Sequence, residues 1–327
     1  MSKNMTSGIP NKLFAKIRKN LVRNPYIGSP YEVQIEITTK CNLTCQFCLR
    51  NSKESDTIDR DMPLDLFESI INGLRYPTRF ISLVGLGEPL LNPELFSMIR
   101  LAKKKGFEVS LIDNFTLIDK DTSLSLIRSG LDHLYVSFDG ASKTTFERMR
   151  TGAVFDKVKE AVKLFVATKK DLKASRPIFY FKSTICKDNF AEIPHLIKLA
   201  EDLGVDGINF GKLCAPTEDY ANDVSISLEL NDLPKSKIEI VPCELSKTFP
   251  CCAPRGCYVS VDGKVLPCGL LCEITPRKYF SHIQLGDVKS ANLGNIWRSS
   301  KYRRFRREIA SGKLLPLCKK CPAWRQP

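Results

Sequence analysis

The chain has 327 residues, a formal net charge of +14, 43% hydrophobic residues, 13 cysteines and only 3 histidines. This length and composition predict a folded protein with one large and one small domain. The apolar runs are too short to cross a bilayer and the first residues lack the apolar core of a secretory signal, so a cytoplasmic location is expected. The scarcity of histidine argues against a histidine-rich zinc site or a Ser–His–Asp triad.

The positive charge is concentrated at the two ends of the chain. Residues 1–25 carry six Lys or Arg and no acid, and residues 298–325 carry ten basic residues against Glu308 alone. We therefore separate residues 1–30 as a basic N-terminal segment. Solvated helix faces explain such ends, and so does contact with an anionic partner, either nucleic acid or lipid.

Residues 31–215 alternate short β-branched runs with longer amphipathic runs. The predicted strands are 32–39, 79–85, 107–113, 133–139, 178–185 and 207–212. The helices predicted between them are 65–74, 93–105, 123–129, 155–169 and 192–203. Such alternation requires parallel strands joined by right-handed crossovers. It predicts an α/β fold, a partial (β/α)6 TIM-like barrel whose active groups lie at the carboxyl ends of the strands.

Three cysteines follow the first strand in the spacing C-x3-C-x2-C, namely Cys41, Cys45 and Cys48. In a cytosolic chain, clustered cysteines are better explained as metal ligands than as disulfides. Three thiolates on one short loop can hold an iron–sulfur cluster and leave one iron open to a small molecule. A fragment of a zinc site is the alternative, but zinc usually takes four ligands and a catalytic zinc motif would be expected to bring histidine.

This motif, with Phe47 at its aromatic position, resembles that of the radical S-adenosylmethionine (SAM) superfamily. The segment 85–89, Gly-Leu-Gly-Glu-Pro, resembles the family's Gly-Gly-Glu-Pro motif, with Leu86 in place of a glycine. The resemblance implies that SAM binds the open iron of a [4Fe–4S] cluster and is cleaved to a 5′-deoxyadenosyl radical, which abstracts hydrogen. It also implies cofactor contacts from Gly87 and Glu88 to the amino group of SAM, from Asn114 and Ser137 to its ribose or methionine end, and from Phe47 near its adenine.

From residue 216 onward prolines and cysteines become frequent, which places a second domain at residues 216–327. Residues 257–268 predict a hairpin with an Asp-Gly turn, and Cys318 and Cys321 form a C-x2-C pair. The region resembles the SPASM/Twitch extension of radical SAM enzymes. The resemblance implies one auxiliary [4Fe–4S] cluster held by Cys268, Cys318, Cys321 and a fourth cysteine. Cys251 fits best, Cys252 and Cys257 are alternatives, and Cys243 and Cys272 are spare candidates. A structural zinc ribbon is the rival interpretation of the same spacing.

The leading hypothesis is a radical SAM oxidoreductase or maturase that passes an electron to the auxiliary cluster. It would use a reductant such as flavodoxin or ferredoxin and act on a small molecule or a peptide. Only some 30 residues precede the first strand, which disfavours a peptide. No general base or substrate follows from the sequence, because the loops at a barrel mouth vary freely within a fold.

A different class of function is suggested by the basic run 301–307, which interleaves aromatic residues with cations. It favours either a zinc-containing nucleic-acid-binding protein or a radical SAM enzyme that modifies RNA.

Overall fold

The computed structural model describes residues 28–213, 233–241, 251, 253–313 and 316–319. Within them, ten strands form a sheet in the order β10-β9-β8-β1-β2-β3-β4-β5-β6-β7. The strands are β1 Glu32–Ile35, β2 Phe80–Leu83, β3 Glu108–Asp113, β4 His133–Ser137, β5 Ile178–Ile185, β6 Gly207–Lys212, β7 Glu239–Val241, β8 Gly256–Val259, β9 Lys264–Leu266 and β10 Gly286–Asp287. The α-helices are α1 Leu64–Asn72, α2 Leu95–Lys104, α3 Lys120–Arg128, α4 Lys143–Met149, α5 Phe155–Asp171, α6 Ile193–Leu203, α7 Gly269–Ile274, α8 Phe280–Ile283, α9 Leu293–Arg298, α10 Ser300–Ala310 and α11 Pro316–Lys319.

Strands β1 to β6 are parallel and adjacent in chain order, with helices between them. This confirms the predicted α/β fold with a partial six-unit barrel. Each predicted strand and helix is present, and α4 is an additional helix that the sequence reading did not include. Strand β1 ends at Ile35, four residues before the predicted limit, because the chain leaves the sheet there to form the cysteine loop.

The two faces of this sheet have different surroundings, because side chains alternate along a strand. On β5, Phe179 and Phe181 are fully buried, and Phe179 packs on Phe165 of α5 with ring centroids 4.7 Å apart. Tyr180 and Lys182 point the other way and are partly accessible. We call this second side, which is the interior of the barrel, the inner face. Cross-strand register assigns these polar residues to it: Gln34, Ser82, Ser110, Tyr135, Ser137, Tyr180, Lys182 and Asn209.

The predicted hairpin is confirmed as β8 and β9, and Gly263 has a φ of 91° in its turn. The hairpin does not form a sheet of its own, since β8 pairs in parallel with β1 and extends the barrel sheet. Close approach is possible because Gly256 has no side chain: a Cβ there would lie 2.6 Å from Glu32 Cγ. The region expected to hold the auxiliary cluster is thus attached directly to the strand that precedes the cysteine loop.

The basic run 301–307 lies in α10, and its two aromatic residues are buried. Arg306 is also buried, with its guanidinium carbon 4.1 Å from the Trp297 ring centroid and 4.9 Å from that of Tyr302. The outward-facing residues are Lys301, Arg303, Arg304 and Arg307. The aromatic rings are therefore unavailable for stacking on bases, which removes the main argument for nucleic-acid binding by this run. Among the described residues, none of the helices has the length and apolar character needed to span a membrane.

Candidate active site

The loop after β1 places three half-buried thiols, those of Cys41, Cys45 and Cys48, near one another. Burial raises the pKa of the Cys45 thiol, and it raises the pKa of Cys48 to about 11; a charge on Cys41 raises both further. Hydrogen bonds brace the loop: Thr39 Oγ1 donates to Ile58 O at 2.7 Å, and Thr44 N donates to Thr151 O at 2.9 Å. Such desolvated thiols stay protonated until a metal centre binds them as thiolates.

A partly buried ion pair lies beside Cys45. The Arg150 guanidinium donates to the Asp139 carboxylate at the end of β4, and it also bonds the Cys45 sulfur. Asp139 Oδ1 additionally accepts from Thr184 N of β5 at 2.6 Å. The guanidinium is therefore held in place to offset negative charge at the thiolates, which suits an anionic iron–sulfur cluster.

In the part of the chain that is described, no three His, Cys, Asp or Glu side chains are placed to ligate one metal ion. The thiolates of an iron–sulfur cluster bind different irons, so their sulfurs need not converge on a single point. An all-sulfur donor set on one short loop thus fits a cluster better than a zinc ion, which gathers its ligands into one tetrahedron.

The segment 85–89 packs directly against the cysteine loop. At Gly87 an added Cβ would lie 2.3 Å from Thr38 O and 2.8 Å from Lys40 O. The Glu88 N–H donates to Lys40 O at 2.7 Å. Glycine is therefore required at position 87 for the two loops to lie this close, and a ligand can contact both of them.

Leu86, the departure from the family's pattern, is buried in a group that we call the second apolar cluster. Its buried members are Leu49, Leu86, Tyr258, Leu266, Leu271, Cys272, Phe280 and Ile283. Leu86, which replaces the family's glycine, therefore packs between the barrel and the C-terminal region.

Glu88 is buried and its oxygens face backbone amides. Oε1 accepts from Leu90 N at 3.3 Å and Oε2 from Asn114 N at 2.8 Å. Burial raises the pKa of Glu88 well above its ordinary value, and the adjacent Asp113 carboxyl raises it further. Burial also raises the pKa of Asp113, so the two carboxyls share a proton. Glu88 thus fixes segment 85–89 to the end of β3, and direct contact with SAM would require it to give up one of these hydrogen bonds.

The other predicted cofactor contacts surround the same region. Asn114, at the end of β3, donates from Nδ2 to Asn42 Oδ1 in the cysteine loop at 2.9 Å. Ser137 ends β4 on the inner face, in register with Lys182 of β5. Phe47 packs against a small apolar group formed by Met149, Cys186 and Leu213. The five residues therefore follow or end four neighbouring strands, and their individual roles toward SAM stay predictions.

Three predicted auxiliary ligands, Cys251, Cys268 and Cys318, are half-buried. The fourth, Cys321, lies outside the described residues, and so do the alternative Cys252 and the spare candidate Cys243. Cys268 and Cys318 both pack against the second apolar cluster, and so does Cys48 of the first site. Cys257 is buried inside β8, where burial raises the pKa of its thiol, so it is the less suitable alternative to Cys251.

Glu36 is a site residue that sequence reasoning missed. It is fully buried, and its carboxylate accepts hydrogen bonds from Leu86 N at 3.2 Å, from Val261 N at 3.0 Å and from Arg277. An acidic residue between Ile35 and Ile37, in an otherwise apolar strand end, is the signal that could have identified it.

The six-unit partial barrel carries a three-thiol loop at the carboxyl end of its strands, and the glycine-containing segment 85–89 packs against this loop. These features define an iron–sulfur enzyme that binds a small cofactor. The family model of the radical SAM superfamily matches residues 35–200, and that of an iron–sulfur cluster-binding domain, SPASM, matches residues 249–322. The chain belongs to the radical SAM superfamily and carries a C-terminal SPASM domain. Its cofactors are SAM, the [4Fe–4S] cluster that binds SAM, and auxiliary iron–sulfur in the SPASM domain.

Among curated relatives, the tungsten-containing aldehyde ferredoxin oxidoreductase cofactor-modifying protein of Pyrococcus furiosus is 29% identical over 314 residues, 88% of this chain and 86% of that protein. The AdoMet-dependent heme synthase of Methanosarcina barkeri is 25% identical over 85% of each chain. Among solved structures, Streptococcus suis SuiB bound to precursor peptide SuiA covers 99% of this chain and 78% of its own, with a TM-score of 0.68 and 16% identity. The enzyme anSMEcpe with bound AdoMet covers 89% of this chain and 86% of its own, with a TM-score of 0.63 and 21% identity. The structural likenesses show a shared fold.

Proposed function

We propose that this protein is a radical SAM maturase or oxidoreductase that removes a hydrogen atom from a substrate held on the inner face of the barrel. The main support for the proposal is the contact between the three-thiol loop and segment 85–89. An added Cβ at Gly87 would lie only 2.3 Å from Thr38 O. When bound there, the cluster and SAM supply a 5′-deoxyadenosyl radical as the hydrogen-abstracting species.

The chain's own residues bind and orient these groups. Cys41, Cys45 and Cys48 would hold the cluster, and Arg150 would offset its negative charge. Gly87 admits the amino end of SAM close to backbone, while Asn114 and Ser137 would hydrogen-bond its ribose or methionine end. The buried Leu49 and Leu86 exclude water from the side of the site that faces the SPASM domain.

The SPASM domain would hold a single auxiliary [4Fe–4S] cluster, ligated by Cys251, Cys268, Cys318 and Cys321. Cys48 of the first proposed site and Cys268 and Cys318 of the second contact one apolar cluster, so the two metal sites would lie near each other. This proximity favours a net oxidation in which the electron left on the substrate passes to the auxiliary cluster. A reductant such as flavodoxin or ferredoxin would supply the electron that starts SAM cleavage.

Names of relatives support a maturation reaction on a small molecule or a peptide. They describe modification of a tungsten enzyme's cofactor, haem synthesis and, for a Gluconobacter oxydans protein 23% identical to this chain, cyclisation of the peptide PqqA.

Iron content and SAM cleavage test the proposal. Anaerobically reconstituted protein should hold about eight irons per chain, and the Cys41→Ala, Cys45→Ala, Cys48→Ala variant should hold about half. With dithionite, the wild-type protein should release 5′-deoxyadenosine and the variant should not. Cys186→Ala, at a buried thiol that packs near Phe47 but is not a predicted ligand, is the matched control and should keep full iron. Stoichiometric zinc with no SAM cleavage would contradict the proposal.

A further inference from the structure

Three polar side chains form a closed ring of hydrogen bonds between the cysteine loop and the turn that follows β3. Asn114 Nδ2 donates to Asn42 Oδ1 at 2.9 Å, and Asn42 Nδ2 donates to Thr116 Oγ1 at 2.7 Å. Thr116 Oγ1 closes the ring by donating to Asn114 Oδ1 at 2.6 Å. Asn42 directly follows Cys41, the first predicted cluster ligand. The ring therefore joins a residue that is predicted to contact SAM to the loop that is predicted to hold the cluster.

The backbone sets the direction of every hydrogen bond in this ring. Thr116 N also donates to Asn114 Oδ1, at 2.9 Å. A backbone N–H can only donate, so the Asn114 atom that faces it is the amide oxygen and not the amide nitrogen. The Thr116 hydroxyl has to donate its only hydrogen to that same oxygen, and its lone pair then accepts from Asn42. The amide of Asn42 is oriented in turn, with its oxygen toward Asn114.

The ring leaves Asn114 with hydrogen-bond donor capacity only. Both lone pairs of its amide oxygen are occupied, one by Thr116 N and the other by Thr116 Oγ1. Its amide nitrogen carries two hydrogens, and one of them is bonded to Asn42. Within the described part of the chain, no acceptor bonds the other hydrogen. Asn114 is 7% exposed, so a ligand can reach this N–H although most of the residue is buried.

Phe115 maintains the turn that brings Asn114 and Thr116 together. It is fully buried and has a φ of 64°, in the left-handed region that a bulky side chain rarely adopts. Its ring packs on Phe165 and Phe179, at centroid distances of 5.7 Å and 5.3 Å. Packing in the core thus stabilises a strained turn, and strain of this kind is typical of functional sites.

We propose that Asn42 and Thr116 are positioning residues that hold Asn114 as a hydrogen-bond donor to an oxygen atom of SAM, in its carboxylate or its ribose. An amide N–H suits these oxygens, whereas an ammonium group has no lone pair to accept it. The inference rests on the proposed function, because it requires SAM to bind beside the cysteine loop.

SAM binding to the unreduced, iron-loaded protein tests the inference. Thr116→Val removes the hydroxyl and keeps the size of the side chain, so the Asn114 amide loses one of the partners that orient it. SAM affinity, measured by equilibrium dialysis, should fall about fivefold, the value of one hydrogen bond. Thr116→Ser keeps the hydroxyl and should bind SAM within about twofold of wild type. Thr144→Val, at an exposed position of α4, is the matched control and should leave SAM affinity unchanged.

A double-variant cycle tests whether the three side chains act as one unit. Asn42→Ala opens the ring at a second point and should also weaken SAM binding about fivefold. The double variant Asn42→Ala, Thr116→Val should lose no more than about tenfold, because a ring that is already open imposes no further constraint. Asn114→Asp keeps an acceptor for Thr116 N but removes the donor, so it should weaken SAM binding by more than about tenfold.

The two products of SAM cleavage distinguish its carboxylate from its ribose. Methionine carries the carboxylate and 5′-deoxyadenosine carries the ribose, and each is dialysed against wild type and Thr116→Val. A loss of affinity confined to methionine assigns the Asn114 donor to the carboxylate. A loss confined to 5′-deoxyadenosine assigns it to the ribose. Equal affinity of the two proteins for both products would overturn the inference.

Unchanged SAM affinity in Thr116→Val and Asn42→Ala would likewise contradict it, and so would losses that add fully in the double variant. Iron analysis of the first site covers a structural alternative. If the ring variants lose iron and yet bind SAM as wild type does, the ring supports cluster loading and the inference fails. Dithionite-driven release of 5′-deoxyadenosine by wild type tests the proposed function separately, because the variants are compared by binding alone.

Discussion

Arg277 Nη2 lies 2.6 Å from both carboxylate oxygens of Glu36, and Glu36 is fully buried. The pair joins the SPASM domain to segment 85–89, because Glu36 also accepts from Leu86 N at 3.2 Å. Gly85 completes the contact, since a Cβ there would lie 2.4 Å from Glu36 Cγ. The position of segment 85–89 therefore depends on a carboxylate whose counter-charge comes from the other domain.

Removal of the Arg277 charge should weaken SAM binding, although Arg277 is not predicted to touch SAM. Arg277→Met leaves the Glu36 carboxylate buried without its counter-charge, which should lower the free energy of unfolding by about 3–5 kcal/mol. Urea unfolding and SAM titration of the anaerobic holoenzyme measure the two effects.

Two comparisons make the Arg277 result specific. The double variant Glu36→Gln, Arg277→Met should recover part of the lost stability, because no buried charge remains unpaired. Lys264→Met, which breaks the more accessible Lys264–Asp287 pair of the same domain, should cost about 1 kcal/mol or less. Unchanged SAM affinity in Arg277→Met would contradict the coupling.

A methyl group at position 87 should separate segment 85–89, which is predicted to contact SAM, from the cysteine loop. In Gly87→Ala the new Cβ would lie 2.3 Å from Thr38 O, and backbone on both sides has to shift. SAM affinity should fall by at least about tenfold, while iron at the auxiliary site stays bound, as measured by titration and iron analysis. Gly28→Ala is the control, because no atom of the described residues lies within 4 Å of an added Cβ there. Equal SAM affinity in the two variants would contradict the proposal that SAM binding depends on the close contact at Gly87.

The proton shared by Glu88 and Asp113 should make stability depend on pH. Above the ordinary Glu pKa of 4.5 the unfolded chain has released the Glu88 proton, whereas the folded protein retains it because its pKa is raised. The unfolded state then binds fewer protons, so this contribution to stability declines as pH rises toward the folded pKa. Glu88→Gln carries no such proton and should gain stability relative to wild type as the pH rises above about 5 toward the raised pKa of Glu88.

Chemical unfolding at several pH values measures this difference, and Glu160→Gln at an exposed helix position should show none. A constant difference between wild type and Glu88→Gln across the range would argue against a shared proton. Glu88→Ala, which removes both backbone contacts, should weaken SAM binding more than cluster loading, because Glu88 positions the segment and does not contact iron.

Hydrophobic periodicity sufficed to predict the six barrel strands. Alternate residues such as Phe179 and Phe181 are apolar because they lie on the face of the sheet that the helices cover. The cysteine spacing and the glycines of segment 85–89 predicted the site, because their chemistry is local. The Glu36–Arg277 pair could not be predicted, as its members are 241 residues apart and no periodicity connects them. The pairing of β8 with β1 likewise depends on how the C-terminal region docks on the barrel.

The auxiliary site should be required for turnover but not for SAM cleavage. Cys318 and Cys321 are the test positions, because they form the C-x2-C pair of the SPASM domain. In the Cys318→Ala, Cys321→Ala variant, the first cluster should still be reducible and should still release 5′-deoxyadenosine, since its predicted ligands Cys41, Cys45 and Cys48 lie on the loop after β1 and not in the SPASM domain. Substrate conversion should fall, because the substrate radical loses its electron acceptor.

A purely structural role for the auxiliary metal predicts the same loss of conversion, because metal binding and folding are coupled. The two roles differ in their response to zinc, which satisfies four thiolates but accepts no electron. Protein with wild-type SPASM cysteines, loaded with zinc at the auxiliary site and with iron at the first, should keep its urea midpoint and SAM cleavage yet fail to convert substrate. Full conversion in this zinc-loaded protein would refute electron transfer to the auxiliary cluster and leave the SPASM metal as a support for the contact between Arg277 and Glu36.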